Sequence, residues 1–459
     1  MAGKSQIRDF TSGNITKQLV TFAAPLFLSN LLQVVYNMVD MVVVGNVLGE
    51  VGLSGVSIGG DVTHFMTFLA IGYSAAGQVI ISQYIGAGRR DAIARFVSTM
   101  FSFLMVCALA VSTVCLLLRA PILQIMNTPP ESYDQALAYS TICMSGLVFI
   151  YGYNIVSAVL RGMGDSKHPF LFISLAAVMN LVLDILFVWK LEMGAGGAAL
   201  ATVISQGTSF LCCVAFLLKN RAAFELNFRR EDFLHWDGAM LGDLIRLGTP
   251  MAIKSASIQF SKLFVNSWIN SYGVDVSAFA GIANKFASIS NLVSNALNTA
   301  GSSMVGQNIA AKKYDRVTKI VLHLLAITLS VATVISVLIW LFPMQIFSIF
   351  TQKENVLIIA LEYIPVAVLL FYGSACRSAA NGLINGSGNY RINFVTAILD
   401  GIVLRIGLSL LFGLVLDMKY VGFWLGDAVA GFTPFVIGVV FYFTGLWKKG
   451  GTRSLEKKT

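Results

Sequence analysis

Apolar stretches long enough to cross a bilayer recur along almost the whole chain, separated by short polar breaks. Read by apolar run and breaker, they fall near 18–44, 54–84, 93–118, 134–158, 168–189, 197–218, 244–270, 278–308, 317–342, 357–384, 392–416 and 421–446. Lipid offers backbone polar groups no partner, so spans of this kind must be helices or closed barrels, and runs of about 20 apolar residues select helices. Composition agrees: 56% of the 459 residues are hydrophobic and 12% charged, too few charges to cover a water-soluble surface. The expected fold is all-α and polytopic, with 12 transmembrane helices as two six-helix bundles.

The net charge of +9 has the form of a topology signal and not of a nucleic-acid footprint. Arg119, Lys190, Lys353 and Lys419 are the basic residues of the loops on one side, and Lys254, Lys262, Lys285, Arg377 and Arg405 lie deep in spans. The remainder gather on the other side. By the positive-inside rule both termini are cytoplasmic, in a plasma or inner membrane. The tail Lys448, Lys449, Arg453, Lys457 and Lys458 suits anionic headgroups. Cys107, Cys115, Cys143, Cys212, Cys213 and Cys376 sit in apolar runs without a C-x-x-C pair, and His64, His168, His235 and His323 lack metal spacing. No cleavable signal peptide is evident, because the first apolar stretch is too long.

The chain repeats itself. At an offset of 224, Gln83-Tyr84-Ile85-Gly86-Ala87 falls on Gln307-Asn308-Ile309-Ala310-Ala311, and Leu160-Arg161-Gly162-Met163-Gly164-Asp165 on Ile384-Asn385-Gly386-Ser387-Gly388-Asn389. Asp91 meets Asp315, Tyr139 meets Tyr363, and an offset of 225 pairs Pro25 with Pro250. The expected organisation is an N-terminal lobe over 1–218, a cytoplasmic linker over 219–243 and a C-terminal lobe over 244–459. Two parallel lobes can rock about a central substrate, which is the architecture of a carrier.

Polar groups inside spans must face protein or water and so map the interior. Gln33, Tyr36, Asn37 and Asp40 share a face of the first helix, and Asn180 and Asp184 stand one turn apart on the fifth. Tyr139, Thr202, Ser205 and Gln206 could complete the cluster. A mid-membrane carboxylate costs about 2.5 to 3.5 kcal/mol on insertion scales. The repeat does not explain these acids: Asn180 and Asp184 align with Leu404 and Leu408, and Asp40 with Phe264 or Val265.

The second half carries a stripe of Asn284, Ser288, Asn291, Asn295, Asn298 and Ser302 on its second helix, expected to line a cavity, with Gln259, Lys262 and Arg377 nearby. Asp400 and Arg405 read as a structural pair. Pro25 cannot donate to the Thr21 carbonyl and is a candidate hinge. The G-x-G-D of Gly162 to Asp165 also occurs in intramembrane aspartyl proteases, but here it falls in a basic loop and its repeat ends in Asn389; a tight turn is the better reading.

These features together resemble the multidrug and toxic compound extrusion transporters, over nearly the whole chain. The most specific part is Asp40 with Asn180-x-x-x-Asp184. The resemblance is to the branch whose cation site lies in the N-terminal lobe. It implies that Asp40, Asp184, Asn180 and Thr202, with Tyr139 nearby, hold a proton or a sodium ion. The branch with carboxylates on the seventh and tenth helices is not matched, because those helices offer Gln259, Lys262 and Arg377. The expected function is therefore a secondary antiporter exporting small amphipathic organic cations or drugs in exchange for H⁺ or Na⁺, as a monomer, with no cofactor and no nucleic-acid partner. A flippase of lipid-linked sugars or other anionic amphiphiles is the alternative that the basic residues keep open. An enzyme would need a nucleophile, metal set or acid pair with a leaving-group partner, and no such group stands out.

Overall fold

A computed structural model describes residues 6–450 and 452–455; Lys457 and Lys458 of the basic tail lie outside them. Every regular element among the described residues is helical. Twelve long helices follow the expected spans. In the first half, Ile15–Gly86 holds α1 (15–48) and α2 (50–86). Then come α3 (Ile93–Leu117), α4 (Tyr133–Ser145 continuing as Leu147–Gly162), α5 (Lys167–Lys190) and α6 (Gly194–Lys219). The second half holds α7 (Gly238–Asn270), α8 (Val274–Ala310), α9 (Tyr314–Leu341), α10 (Glu354–Gly386), α11 (Tyr390–Val415) and α12 (Lys419–Thr444).

Some boundaries differ from expectation for local reasons. The loop expected between α1 and α2 shrinks to a break at Gly49, whose φ of 63° is open to glycine at little cost. The chain folds back there: Thr63 and Asp40 both lie close enough to act on the Cys143 thiol. A straight helix would hold residues 40 and 63 about 35 Å apart. The two parts of α4 meet at a 48° bend at Gly146, where an added Cβ would come within 2.4 Å of Val203. Helix α5 ends in a widened π-type turn over Ile185–Lys190, and α11 ends in the same way over Leu411–Val415.

The chain divides into two compact units. One comprises residues up to Asp9, Ala24–Gly248 and the chain from Arg453; the other comprises Phe10–Ala23 and Thr249–Thr452. These limits depart from the expected lobes at both ends and at the linker. The linker region is packed on the first unit: Trp236 Nε1 donates to Ser102 Oγ at 2.9 Å, and Arg90 pairs with Glu225 at 2.8 Å. The chain from Arg453 is fastened there too, since Asp243 Oδ2 accepts from the Ser454 N–H at 2.8 Å. In the second unit the Phe10 backbone N–H donates to Gln307 Oε1 at 2.8 Å, and its carbonyl accepts from Asn308 Nδ2 at 3.0 Å.

The internal repeat extends to packing. A Cβ on Gly77 would meet Met100, and one on Gly301 would meet Leu324. A Cβ on Gly162 would approach the Gln78 carbonyl at 2.9 Å, and one on Gly386 the Ser302 carbonyl at 2.8 Å. All four pairs obey the offset of 224. The G-x-G-D loop closes in the same way twice. Gly164 and Gly388 adopt φ of 89° and 69°. Asp165 Oδ1 accepts from the His168 N–H at 3.2 Å, and Asn389 Oδ1 from the Ile392 N–H at 3.3 Å. Asp165, just before the start of α5, thus ties down the opening turn by accepting from the Lys167 and His168 N–H groups and meeting the His168 ring, which accounts for the motif without any protease chemistry.

Candidate functional site

In the first unit, α1, α4, α5 and α6 bring the sequence-predicted cation residues to one place. The i, i+3, i+4 steps of α1 carry Gln33, Tyr36 and Asp40 along one side. On α5, Asn180 and Asp184 are 2% and 0% exposed, and Ile173, Ala176 and Ala177 floor the groove one to two turns before them. Helix α6 contributes Thr202, Ser205 and Gln206. Gln33, Tyr36, Asn180, Thr202, Ser205 and Gln206 line one narrow cleft with room for little more than a water molecule. Asn37 stands apart on the exposed side of α1.

The carboxyl groups of Asp40 and Asp184 lie side by side, within reach of one another. With its amide turned to satisfy both neighbours, Asn180 donates to Asp184 Oδ2 at 3.0 Å and accepts from the Thr202 backbone N–H at 3.2 Å. The remaining Oδ1 atoms of both aspartates are buried without a hydrogen-bond partner. Among the described residues, no Lys, Arg or His forms an ion pair with either acid.

Tyr139 closes the site from α4. Its hydroxyl lies beside Thr202, and its ring rests on Gly59, where a Cβ would come within 2.5 Å of Tyr139 Cδ1. Cys143, one turn on, lies beside Thr63 and Tyr139. Gly59, Thr63 and Cys143 escaped the sequence reading. The signal for Cys143 was its four-residue spacing from Tyr139; Gly59 gave none, because its role is to be small.

A sodium ion would draw on oxygen ligands, and Asp40, Asp184, Asn180 and Thr202 offer them, with the Asn180 oxygen already accepting from the Thr202 backbone N–H.

The second unit disperses its predicted residues. Asn284 and Lys262 border one cavity with Asn266, Tyr363, Trp424 and Asp427; Asn291, Lys262 and Arg377 border another with Ser374. Gln259, Ser288 and Asn295 are exposed and border neither. The polar stripe of α8 therefore divides. Its first part faces cavities, whereas farther along Ser294 Oγ lies 2.7 Å from Ser374 Oγ and Asn385 Nδ2 donates to Asn298 Oδ1 at 3.4 Å, joining α8 to α10. Arg405 pairs with Asp400 at 2.9 Å, as the sequence suggested, and also donates to Asp427.

Pro25 lies inside α1, two residues after the chain passes from one compact unit to the other at Ala23 and Ala24. Ser29 Oγ donates to its carbonyl at 2.8 Å.

The MatE family profile matches residues 25–186 and again 250–411, one match in each half and both beginning at a proline. The chain belongs to the MatE family. It is 29% identical over 440 residues to the probable multidrug resistance protein YpnP of Bacillus subtilis, covering 96% of this chain and 97% of that protein. It is 25% identical to multidrug and toxin extrusion protein 1 of Xenopus tropicalis, covering 96% of this chain and 77% of that protein. A solved outward-facing multidrug resistance MATE family transporter superposes with a TM-score of 0.87 at 20% identity, over 99% of this chain and all of that one. Membership of the MatE family makes the protein an integral membrane transporter and not an enzyme.

Proposed function

We propose that this MatE protein is a proton-coupled multidrug exporter whose coupling site is the Asp40–Asp184 pair. The observation that carries the reading is the juxtaposition of two carboxyl groups inside the first unit, flanked by Asn180, Thr202 and Tyr139 and with no ion pair to a basic residue among the described residues. A pair of adjacent carboxyl groups can take up and release a single proton, and Asn180, donating to Asp184 Oδ2, holds that carboxyl in place through the exchange. A proton arriving from outside neutralises the pair and releases an organic cation; its departure to the cytoplasm restores the charge that attracts the next one. Coupling requires that the proton bind the two facing states with different affinity, since equal affinity shifts no population.

The names of the relatives support small-molecule substrates. The loop charges support a plasma membrane location with both termini cytoplasmic. We take the carrier to act as a monomer by alternating access, with bending of α1 at Pro25 accompanying the change of protonation.

The test is flux in proteoliposomes of the purified chain, with ethidium as fluorescent cation and proton and sodium gradients imposed separately. A proton gradient alone should drive ethidium transport, and a sodium gradient at constant pH should not. Transport driven by sodium alone would overturn the proton assignment, and no gradient-driven transport of any tested cation would overturn the exporter reading.

A further inference from the structure

Inside the second unit, four cationic side chains share two carboxylates. Arg405 engages both, with Nη2 2.9 Å from Asp400 Oδ1 and Nη1 donating to Asp427 Oδ1. Lys254 donates to a neutral partner, Asn381 Oδ1, at 2.5 Å. Lys262 and Arg377 remain. Among the described residues neither forms an ion pair, Lys262 makes no hydrogen bond, and Arg377 makes a single long one, to the Gly431 carbonyl at 3.4 Å.

These two cations border small adjoining cavities formed by α7, α8, α10, α11 and α12, of about 30 and 20 Å³, room for an acidic group and not for a whole amphiphile. Lys262 borders both; Tyr363, Trp424 and Asn284 belong to the first, and Arg377 and Asn291 to the second. Asp427 also borders both, but Arg405 already occupies it. A cation at membrane depth is costly unless a counter-charge meets it. Arg405 holds both carboxylates in direct ion pairs. Asp427 and Asp400 also act through space on Lys262 and Arg377, but four cations against two carboxylates leave an excess of positive charge for an entering anion to meet. A lysine ammonium beside an arginine fork, with amide donors at hand, is the chemistry that receives a carboxylate or phosphate. Tyr363 and Trp424, with ring centroids 5.2 Å apart, are largely buried and form the aromatic side of the first cavity beside Lys262.

We propose that this cluster is an anion-binding subsite, in which Lys262 and Arg377 receive the acidic group of an amphipathic molecule beside Tyr363 and Trp424. The subsite goes beyond the exporter reading and does not depend on the acid pair of the first unit. It extends the ligand range from organic cations to acidic and zwitterionic amphiphiles.

The experiment is equilibrium binding to the purified full chain in phosphatidylcholine nanodiscs, without a gradient. The probes are dansylglycine and its uncharged methyl ester. Dansylglycine should bind about tenfold tighter than the ester, the scale of one desolvated charge pair. Lys262→Gln and Arg377→Gln should each erase most of that preference, Lys262→Arg should keep it, and Asp40→Asn should leave it unchanged. Retained preference in Lys262→Arg shows that loss in Lys262→Gln is not misfolding. Equal binding of acid and ester to the native chain, or a preference that survives in the double Gln variant, overturns the proposal. Repeating the titration with phosphatidylglycerol in the discs identifies the source of the anion. Weakened dansylglycine binding points to a lipid headgroup and unchanged binding to a free molecule, and either result upholds the subsite as long as the double variant shows no preference.

Discussion

Asp40 of α1 and Asp184 of α5 meet carboxyl to carboxyl in a buried site, although 144 residues of chain separate them. The contact joins two acids that the repeat does not explain. Asn180 steadies one carboxyl, Thr202 stands beside both Asn180 and Tyr139, and Gly59 leaves room for the tyrosine ring.

Replacing either acid by its amide removes the titrating group while keeping shape. Asp40→Asn and Asp184→Asn should each lower gradient-driven ethidium flux by about 100-fold, on the scale of losing a general acid–base group. Both variants should insert and elute as the native chain does. Native flux in both single variants would remove the pair from the coupling mechanism.

Gly59 and Gly60 offer a matched comparison. Ala at 59 would drive a methyl to 2.5 Å from Tyr139, whereas at 60 nothing lies within 4 Å. Gly59→Ala should displace the ring, lower flux several-fold and cost about 1 to 3 kcal/mol of stability. Gly60→Ala should match the native chain in flux and thermal unfolding.

Asp165→Ala should lower the unfolding temperature of the detergent-solubilised protein, by the equivalent of about 1 kcal/mol for lost capping bonds. Asp165→Asn should cost much less, because Asn389 caps α11 with the same atom at the repeat position. An Asn variant as unstable as the Ala variant would show that the charge, and not the cap, is what matters.

Arg405 is 1% exposed between two acids, one of them fully buried. Arg405→Leu strands both carboxylates and should cost about 3 to 5 kcal/mol. Thermal unfolding of the purified variant reads the loss, and Arg405→Lys should fall between the two.

Pro25→Ala restores an N–H able to bond the Thr21 carbonyl and stiffens α1. Flux should fall about tenfold, as expected when a conformational step becomes limiting, while equilibrium binding of ethidium is preserved. Unchanged flux would show the bend to be incidental.

Much of this was legible in the primary structure because membrane burial leaves few options. Apolar run length located the helices, and a polar side chain within a run had to find the interior, so Asp40, Asn180, Asp184 and Thr202 could be gathered without coordinates. Where the chain makes a choice that leaves no compositional trace, the reading fell short. A single glycine reverses the chain at residue 49, and the first residues of α1 are grouped with the second unit through backbone bonds to Gln307 and Asn308. The stripe on α8 misled in part because asparagine and serine serve equally well to line a cavity and to join two helices. That Lys262 and Arg377 lack a direct ion pair among the described residues was likewise hidden, since it depends on Arg405 reaching Asp427 across 22 positions.

The matched glycines, Gly77 with Gly301 and Gly162 with Gly386, set the spacing of neighbouring helices in each half by the same contacts. A duplicated ancestor built in this way keeps its frame in residues that carry no chemistry. One copy could then trade acids for bases, and acquire a separate vocation, without loosening a single helix.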